Sequence, residues 1–336
     1  MTIKDLSAIT GYSVGTISRV LNNQPNVSEK ARQVILDAAR ETGFQLNSNA
    51  KQLKQHHSNS ILVLVKGRSN MLFADLLDAF QSRTADIGVP LMLELMDENT
   101  NEVRRAVQLC MEKKPMGVLF LGGNREHFLA DFDKIDRPCV LVTNEAAGMP
   151  FENLSSVSSD DVLAGRMAME TLIALGHRRI AIIGGDVNVS ETARMRYRGC
   201  MEAFRTHGIE FDEKQDYESI HFTYVDAYQA AKNLLARDRA YTAIFAMADV
   251  MAIGAIRALQ DAGLRVPEDV SVMGFDGLEV GAYTNPRLAT ITQNVEQLAD
   301  RSIRLLWENI KKLQPPRYET LPVEVLLRES VGPLEK

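Results

Sequence analysis

Residues 243–276 read AIFAMADVMAIGAIRALQDAGLRVPEDVSVMGFD, and their pattern decides the fold. An apolar run at Thr242–Met247 precedes a helix-period stretch at 249–263, and a second apolar run, Val270–Phe275, follows it. A strand apolar at successive positions has no wet face, so this unit belongs to a parallel sheet covered by helices on both sides. The alternation extends outward through the chain. Runs at Ile61–Val65, Val89–Leu95, Met116–Leu121, Pro138–Thr143 and Arg179–Gly184 alternate with helical segments near 72–87, 101–113, 161–176, 193–207 and 226–237. The polar stretch around 144–160, with its SSVSSDD, reads as the division between two doubly wound parallel-sheet lobes. Segments 289–328 are then free to cross back between them.

A chain of 336 residues, 45% hydrophobic and 24% charged, has room for such a body and a smaller unit besides. No run of eighteen apolar residues occurs, so no spanning helix is expected. The opening MTIKDLSAIT lacks a cationic segment ahead of an apolar stretch, so no secretion signal is expected. Three cysteines, Cys110, Cys139 and Cys200, are too few and too scattered for a disulfide framework or a zinc site. The reading is therefore cytoplasmic, with no metal and no cofactor. The net charge of −6 is unevenly spread: residues 1–56 carry seven basic against four acidic side chains, and the other 280 carry 31 against 40. A basic head on an acidic body suits a polyanionic partner for the head, although an excess of +3 is modest taken alone.

In the head, Ile3, Leu6 and Ile9 give a short apolar face ended by Gly11. Ser13 stands as an N-cap before VGTISRVLNN, where Val14, Ile17 and Leu21 fall at helical spacing. Ser28 caps a third segment with Ala31, Val34, Ile35, Ala38 and Ala39 on one face, stopped by Gly43. A short turn containing Gly11 joins the first two segments, as a helix-turn-helix requires. The face opposite Ile17 and Leu21 shows Gly15, Ser18, Arg19 and Asn22, short and polar enough for a major groove. Arg19 can donate two parallel hydrogen bonds to a guanine edge, while the Ser13, Thr16 and Ser18 hydroxyls can hold phosphates. An ordinary three-helix bundle with a solvated face would show the same pattern. The stretch NSNAKQLKQHHSNS, 47–60, reads as a linker. In it, Ala50, Lys51, Leu53 and Lys54 suit a short helix that orders only on a partner, with Leu53 as a candidate minor-groove wedge.

Ligands of doubly wound sheets sit beyond the carboxyl ends of strands. Here those ends carry Gly122-Gly123-Asn124, Gly184-Gly185-Asp186, Ala248-Asp249 and Gly274-Phe275-Asp276. Neither a P-loop nor a dinucleotide fingerprint is present, but Asp249 and Asp276 are placed to accept hydrogen bonds from ligand hydroxyls. An enzyme is not supported: there is no G-x-S-x-G elbow, no H-E-x-x-H pair and no Cys/His metal spacing. His177 reads as a structural histidine at a helix end, and Trp307 as packing.

These residues carry a resemblance. The head TIKDLSAITGYSVGTISRVLNNQPNVSEKARQVILDAARETGF is similar to the DNA-binding domain of the lactose/galactose-repressor (LacI/GalR) family of bacterial transcription regulators. LIALGHRRIAIIGG at 172–185, RMRYRGCMEAF at 194–204, residues 243–276 and LATITQN at 288–294 resemble that family's periplasmic-binding-protein-like core. The resemblance implies an N-terminal all-α helix-turn-helix head at 1–46, a hinge helix and linker at 47–58, and an effector-binding core at 59–336. Within the core it implies an N-lobe of about 59–158 and 291–321 and a C-lobe of about 159–290 and 322–336. It implies base reading by Val14, Gly15 and Arg19, phosphate contacts near Ser13, Thr16, Ser18 and Asn22, and a hinge-helix wedge at Leu53. For the effector it implies Leu72 and Phe73 from a first pocket loop, Arg196, Phe222, and the polar positions Asp249, Asp276 and Gln293. The expected function is sequence-specific DNA-binding transcriptional regulation, as a homodimeric repressor on a near-palindromic operator, controlled by a small molecule between the lobes. A carbohydrate is the favoured effector, with nucleosides, sugar phosphates and small acids open.

Three positions depart from the family pattern. Met71 stands where a proline is frequent, Ala248 where an asparagine precedes the aspartate, and Leu46 where many members have proline before the hinge helix. The loss of the asparagine removes two hydrogen-bonding groups from the pocket. The chain shows no leucine-heptad tail, so a dimer is expected rather than a tetramer. Two rival readings stay open: a solute receptor that never touches DNA, and an enzyme working in the cleft.

Overall fold

The structure, a computed structural model, describes residues 2–21, 25, 27–44, 59–67, 70–237 and 239–334. The chain divides into two units, 1–58 and 59–336. The first consists of helices α1 (Ile3–Thr10), α2 (Val14–Leu21) and α3 (Glu29–Glu41). Its starts and stops follow from local chemistry. Thr2 and Asp5 cap α1 reciprocally, the Thr2 amide donating to Asp5 at 2.7 Å and the Asp5 amide to the Thr2 hydroxyl at 3.3 Å. Gly11, at φ 71°, closes α1 in a left-handed conformation that costs glycine little. Ser28 accepts the Ala31 amide at the start of α3.

Leu6, Ile17, Val20 and Ile35 form the small core of this unit. Here the helical period misplaced three side chains: Val14 is 40% exposed, Val34 40% and Ile9 56%, while Val20 is buried in their stead. Each helix is too short to bury a full apolar stripe. A first-turn side chain also leans toward its helix N-terminus, which carries Val14 out of the three-helix contact.

The second unit contains two six-stranded sheets among its described residues. The first has the order β11-β5-β4-β3-β1-β2. Its strands are β1 (Ile61–Lys66), β2 (Leu91–Met96), β3 (Gly117–Leu121), β4 (Cys139–Val142), β5 (Leu154–Ser159) and β11 (Tyr318–Leu321). The second has the order β12-β10-β9-β8-β6-β7. It is built from β6 (Ile180–Gly184), β7 (Tyr217–Ser219), β8 (Ala243–Ala246), β9 (Ser271–Asp276), β10 (Ala289–Thr292) and β12 (Glu324–Leu326). Every pairing is parallel except β10 with β12. Along β1, Ile61, Val63 and Val65 enter one apolar cluster and Leu62 and Leu64 another, as a strand covered on both faces must.

Helices α4 (Met71–Asp86), α5 (Glu102–Lys113), α6 (Arg125–Asp131) and α12 (Val295–Lys311) belong with the first sheet. The second sheet is served by α7 (Asp161–Ala174), α8 (Glu191–Thr206), α9 (Glu213–Asp216), α10 (Tyr224–Leu235) and α11 (Asp249–Asp261).

Within the stretch read as the division between lobes, residues 154–159 form strand β5, buried along its whole length, and the chain passes to the second sheet directly after it. Serines are tolerated there because their hydroxyls are matched. Ser155 accepts the Arg317 amide at 3.1 Å, Ser156 accepts the Ala146 amide at 3.0 Å, and Ser159 donates to Gln293 at 2.8 Å. The chain passes between the sheets after β5, after β10 and after β11. Gln293 stands at the second passage and its hydrogen bond to Ser159 ties it to the first. His177 is structural: it is buried, contacts the Thr242 hydroxyl at 3.1 Å, and donates from Nε2 to the Gly332 carbonyl at 3.0 Å. Burial pushes its pKa down.

Candidate functional site

On the head, the Ser13 hydroxyl accepts the Thr16 amide at 3.2 Å and lies 3.0 Å from the Thr16 hydroxyl, which fixes the start of α2. Ile17 and Val20 face inward, leaving Ser13, Val14, Gly15 and Arg19 exposed and Thr16 and Ser18 half-buried. All six lie on or beside one short helix, and Arg19 has no ion-pair partner among the described residues. Asn22 and Leu53 lie outside the described residues. What α2 offers is a solvent-facing arc of hydroxyls, one methylated side chain and one guanidinium.

In the second unit a cavity of about 700 Å³ lies between the two sheets' carboxyl ends. Of the seven side chains expected there, Leu72, Phe73, Arg196, Phe222 and Asp276 line it; Asp249 and Gln293 do not. Leu72 and Phe73 enter from the first turn of α4, which Asn70 caps by accepting the Leu72 amide at 3.0 Å. Arg196 is placed by a close crossing of α7 and α8. A Cβ on Gly165 would collide with the Arg196 carbonyl, and one on Gly199 with the Val162 carbonyl, so only glycine permits the approach. That crossing brings the buried Arg196 guanidinium to Asp161 at 2.8 Å, to the Met247 carbonyl at 2.6 Å, and over the Phe275 ring at 3.5 Å. Three fixed contacts hold the guanidinium in one pose, with donors left over for the cavity.

Asp276 ends β9 with φ at 121°, a conformation that costs a non-glycine residue about 1–3 kcal/mol. Asp249 holds the turn that follows. Its carboxylate accepts the Gly277 and Leu278 amides at 3.0 and 2.7 Å and the Thr290 hydroxyl at 2.7 Å. All of its hydrogen bonds go to this turn and to β10, which explains why it is absent from the cavity wall. Gln293 likewise acts from behind, donating to Asp276 at 2.8 Å. Burial pushes the Asp249 carboxyl up to about 8, with repulsion from Asp276 second. Burial also pushes Asp276 up to about 7, against the pull of Arg196 and Gln293. Asp161 is raised by burial, with Arg196 opposing.

The sequence reading missed much of the first lobe's wall. Lys66, Glu98 and His127 line the cavity there, and His221 and Asp226 join the opposite wall. Lys66 was visible as the charge that ends the apolar run ILVLVK. The histidines gave no signal, because only the fold brings them to the cleft. Among the described residues, contacts that join the lobes across the cavity include Glu98 with His221 at 2.9 Å and the Tyr224 hydroxyl donating to the Met71 sulfur at 2.9 Å. Ala248, whose side chain makes no cap to α11, is buried and off the cavity wall. No helix of the described residues is long and apolar enough to cross a membrane.

A helix-turn-helix head joined to a two-lobed α/β core with an interlobe cavity lined by charged and aromatic side chains defines a ligand-binding transcriptional regulator. Residues 2–47 match the model of bacterial regulatory proteins of the lacI family, and residues 169–331 that of the periplasmic binding protein-like domain. The chain is 32% identical to the HTH-type transcriptional regulator MalR of Clostridium butyricum, covering 98% of this chain and 99% of that one. It is 30% identical to the HTH-type transcriptional repressor PurR of Pasteurella multocida, over 98% of each. Among solved structures it is similar to a transcriptional regulator CelR–cellobiose complex, with a TM-score of 0.74, 28% identity and coverage of 98% and 99%. The fold also matches a lac repressor dimer bound to operator and the anti-inducer ONPF, with a TM-score of 0.81, 24% identity and 99% coverage of each chain. The chain belongs to the lacI family of bacterial regulatory proteins. It is a DNA-binding transcriptional regulator with a small-molecule-binding core, and not an enzyme.

Proposed function

We propose that this chain is a cytoplasmic, homodimeric repressor whose operator affinity is set by a carbohydrate held in the interlobe cavity. In this reading residues 1–46 bind DNA, 47–58 form the hinge helix and linker, and 59–336 bind the effector. Val14, Gly15 and Arg19 read bases, Ser13, Thr16, Ser18 and Asn22 sit near phosphates, and Leu53 opens the minor groove at the operator centre. Leu72, Phe73, Arg196, Phe222 and Asp276 touch the effector, whereas Asp249 and Gln293 act as positioning residues behind Asp276.

The observation that carries the sugar reading is the pairing of a fixed donor with a fixed acceptor beside aromatic rings. Arg196 and Asp276 suit neighbouring hydroxyls, and Phe73 and Phe222 suit the apolar side of a sugar ring. The second copy is supported by apolar side chains left in water: Leu93 and Leu95 on the edge strand β2, 54% and 53% exposed, and Val225 and Tyr283, 76% and 78% exposed. Selecting bound sites from a random DNA pool is expected to return a near-palindrome. A thermal-shift screen of sugars is expected to give a hit that Asp276→Asn removes. A ligand at a hundred times its Kd adds about 2.7 kcal/mol, which such a screen resolves easily. Enrichment of no sequence would overturn the DNA reading, and hits confined to nucleobases would overturn the carbohydrate.

A further inference from the structure

We propose that Lys66, Glu102 and His127 form a second effector subsite, on the first lobe, that takes a neutral hydroxyl and turns away an anion. The inference rests on the reading of the cavity as the effector site and deepens it. Glu102 opens α5 and is completely buried, yet it makes three polar contacts. Its Oε1 accepts the Asn124 amide at 2.6 Å, and its Oε2 accepts Lys66 at 2.5 Å and the Nδ1 of His127 at 2.8 Å. Lys66 and His127 both reach the cavity wall; Glu102 stands behind them.

The chemistry follows from the donor inventory. The carboxylate accepts from Nδ1, so a neutral His127 carries its proton there and leaves Nε2 as an acceptor. Lys66 lies 3.4 Å from Nδ1, a contact of two donors. Two of its three hydrogens go to Glu102 and to the Thr100 carbonyl, 3.0 Å away. The third has no acceptor among the described residues, and neither has Nε2 a donor. Side by side on the cavity wall, the two groups offer one N–H and one lone pair. A hydroxyl accepts the first and donates to the second. A phosphate or carboxylate can use only the N–H and meets the Nε2 lone pair with its own negative charge. Among the described residues of this wall it also finds no uncompensated cation, because Glu102 pairs with Lys66 and Glu98 with His221. The opposite wall presents Arg196 with Asp276, so an effector bound between the lobes is read by a donor–acceptor pair at each end.

The test compares glucose, ribose and cellobiose with glucose 6-phosphate, ribose 5-phosphate and glucuronate, by thermal shift and calorimetry on the full chain. The neutral member of a pair is expected to bind, and its charged counterpart to bind about tenfold or more weakly. Lys66→Met alone strands a buried carboxylate and is expected to unfold readily. The double variant Lys66→Met/Glu102→Gln removes both charges while keeping an acceptor for the Asn124 amide, and His127→Phe removes the lone pair while keeping the ring. Both are expected to fold, and to lose about tenfold or more in affinity for the neutral sugar while the phosphate or uronate does not weaken. Tighter binding of a charged counterpart, or unchanged sugar affinity in both folded variants, overturns the subsite and leaves the carbohydrate sensor standing. Shifts by adenine and guanosine with none by any sugar overturn both.

Discussion

The two units of this chain hold their functional groups in opposite ways. On α2 the candidate base-reading residues Val14, Gly15 and Arg19 stand in water, on a helix anchored beneath by Ile17 and Val20 and started by the Ser13–Thr16 bonds. In the core the candidate effector groups are buried and locked by one another: Arg196 by Asp161 and Phe275, Asp276 by Gln293, and the turn after Asp276 by Asp249. An exposed arginine can be removed at little cost to folding, whereas a buried one leaves an orphaned charge. DNA affinity and fold stability are therefore separable in the head and entangled in the core.

That contrast is broken or sharpened most strongly at Arg196. Arg196→Ala leaves Asp161 buried without its cation and is expected to lower core stability by about 3–5 kcal/mol, read by urea denaturation. Asp161→Asn/Arg196→Met is expected to recover much of the loss but none of the sugar binding.

Next in size is a dependence on pH. Asp249 and Asp276 have folded-state pKa values of about 8 and about 7, above the unfolded value near 3.8. The native state therefore holds more protons than the unfolded chain between these limits, so this pair makes stability fall as pH rises from about 4 toward 8. Asp249→Asn is expected to flatten that slope by up to one proton, about 1.4 kcal/mol per pH unit. An unchanged slope would show that the pair stays ionised.

Arg19→Ala is expected to leave the midpoint of unfolding within about 0.5 kcal/mol of the parent. It should cost about 1–3 kcal/mol of affinity for the selected operator and relax preference at one base position. Smallest is the cap: Thr2→Ala removes the hydroxyl that accepts the Asp5 amide at the start of α1, leaves the Thr2 amide bonded to Asp5, and is expected to lower head stability by about 1 kcal/mol without changing sugar binding.

Legibility in the sequence divided along the same line. Strands apolar on both faces announced themselves, and every run named from the sequence overlaps a strand of the structure. The polar strand β5 did not, since its hydroxyls are matched by Ala146, Arg317 and Gln293, at least ten residues away in sequence. On the eight-residue α2, period placed Val14 in the core, whereas the structure leaves it 40% exposed. His127 and His221 escaped because a cavity wall assembled from separate parts of the chain has no local pattern, whereas Lys66 left a trace as the charge that ends ILVLVK. Asp249 was visible as a strand-end carboxylate, but its commitment to the next turn depends on β10 and could not be read from spacing.

In the proposed function, occupancy of the cavity changes what the head does. The direct measurement is the affinity of the full chain for its selected operator with and without a saturating sugar that binds the cavity, repeated as sugar affinity with and without operator. The account predicts a change of about 5–150-fold, equal in both directions, as a coupling of 1–3 kcal/mol requires. Identical operator affinity with the cavity full and empty would contradict it.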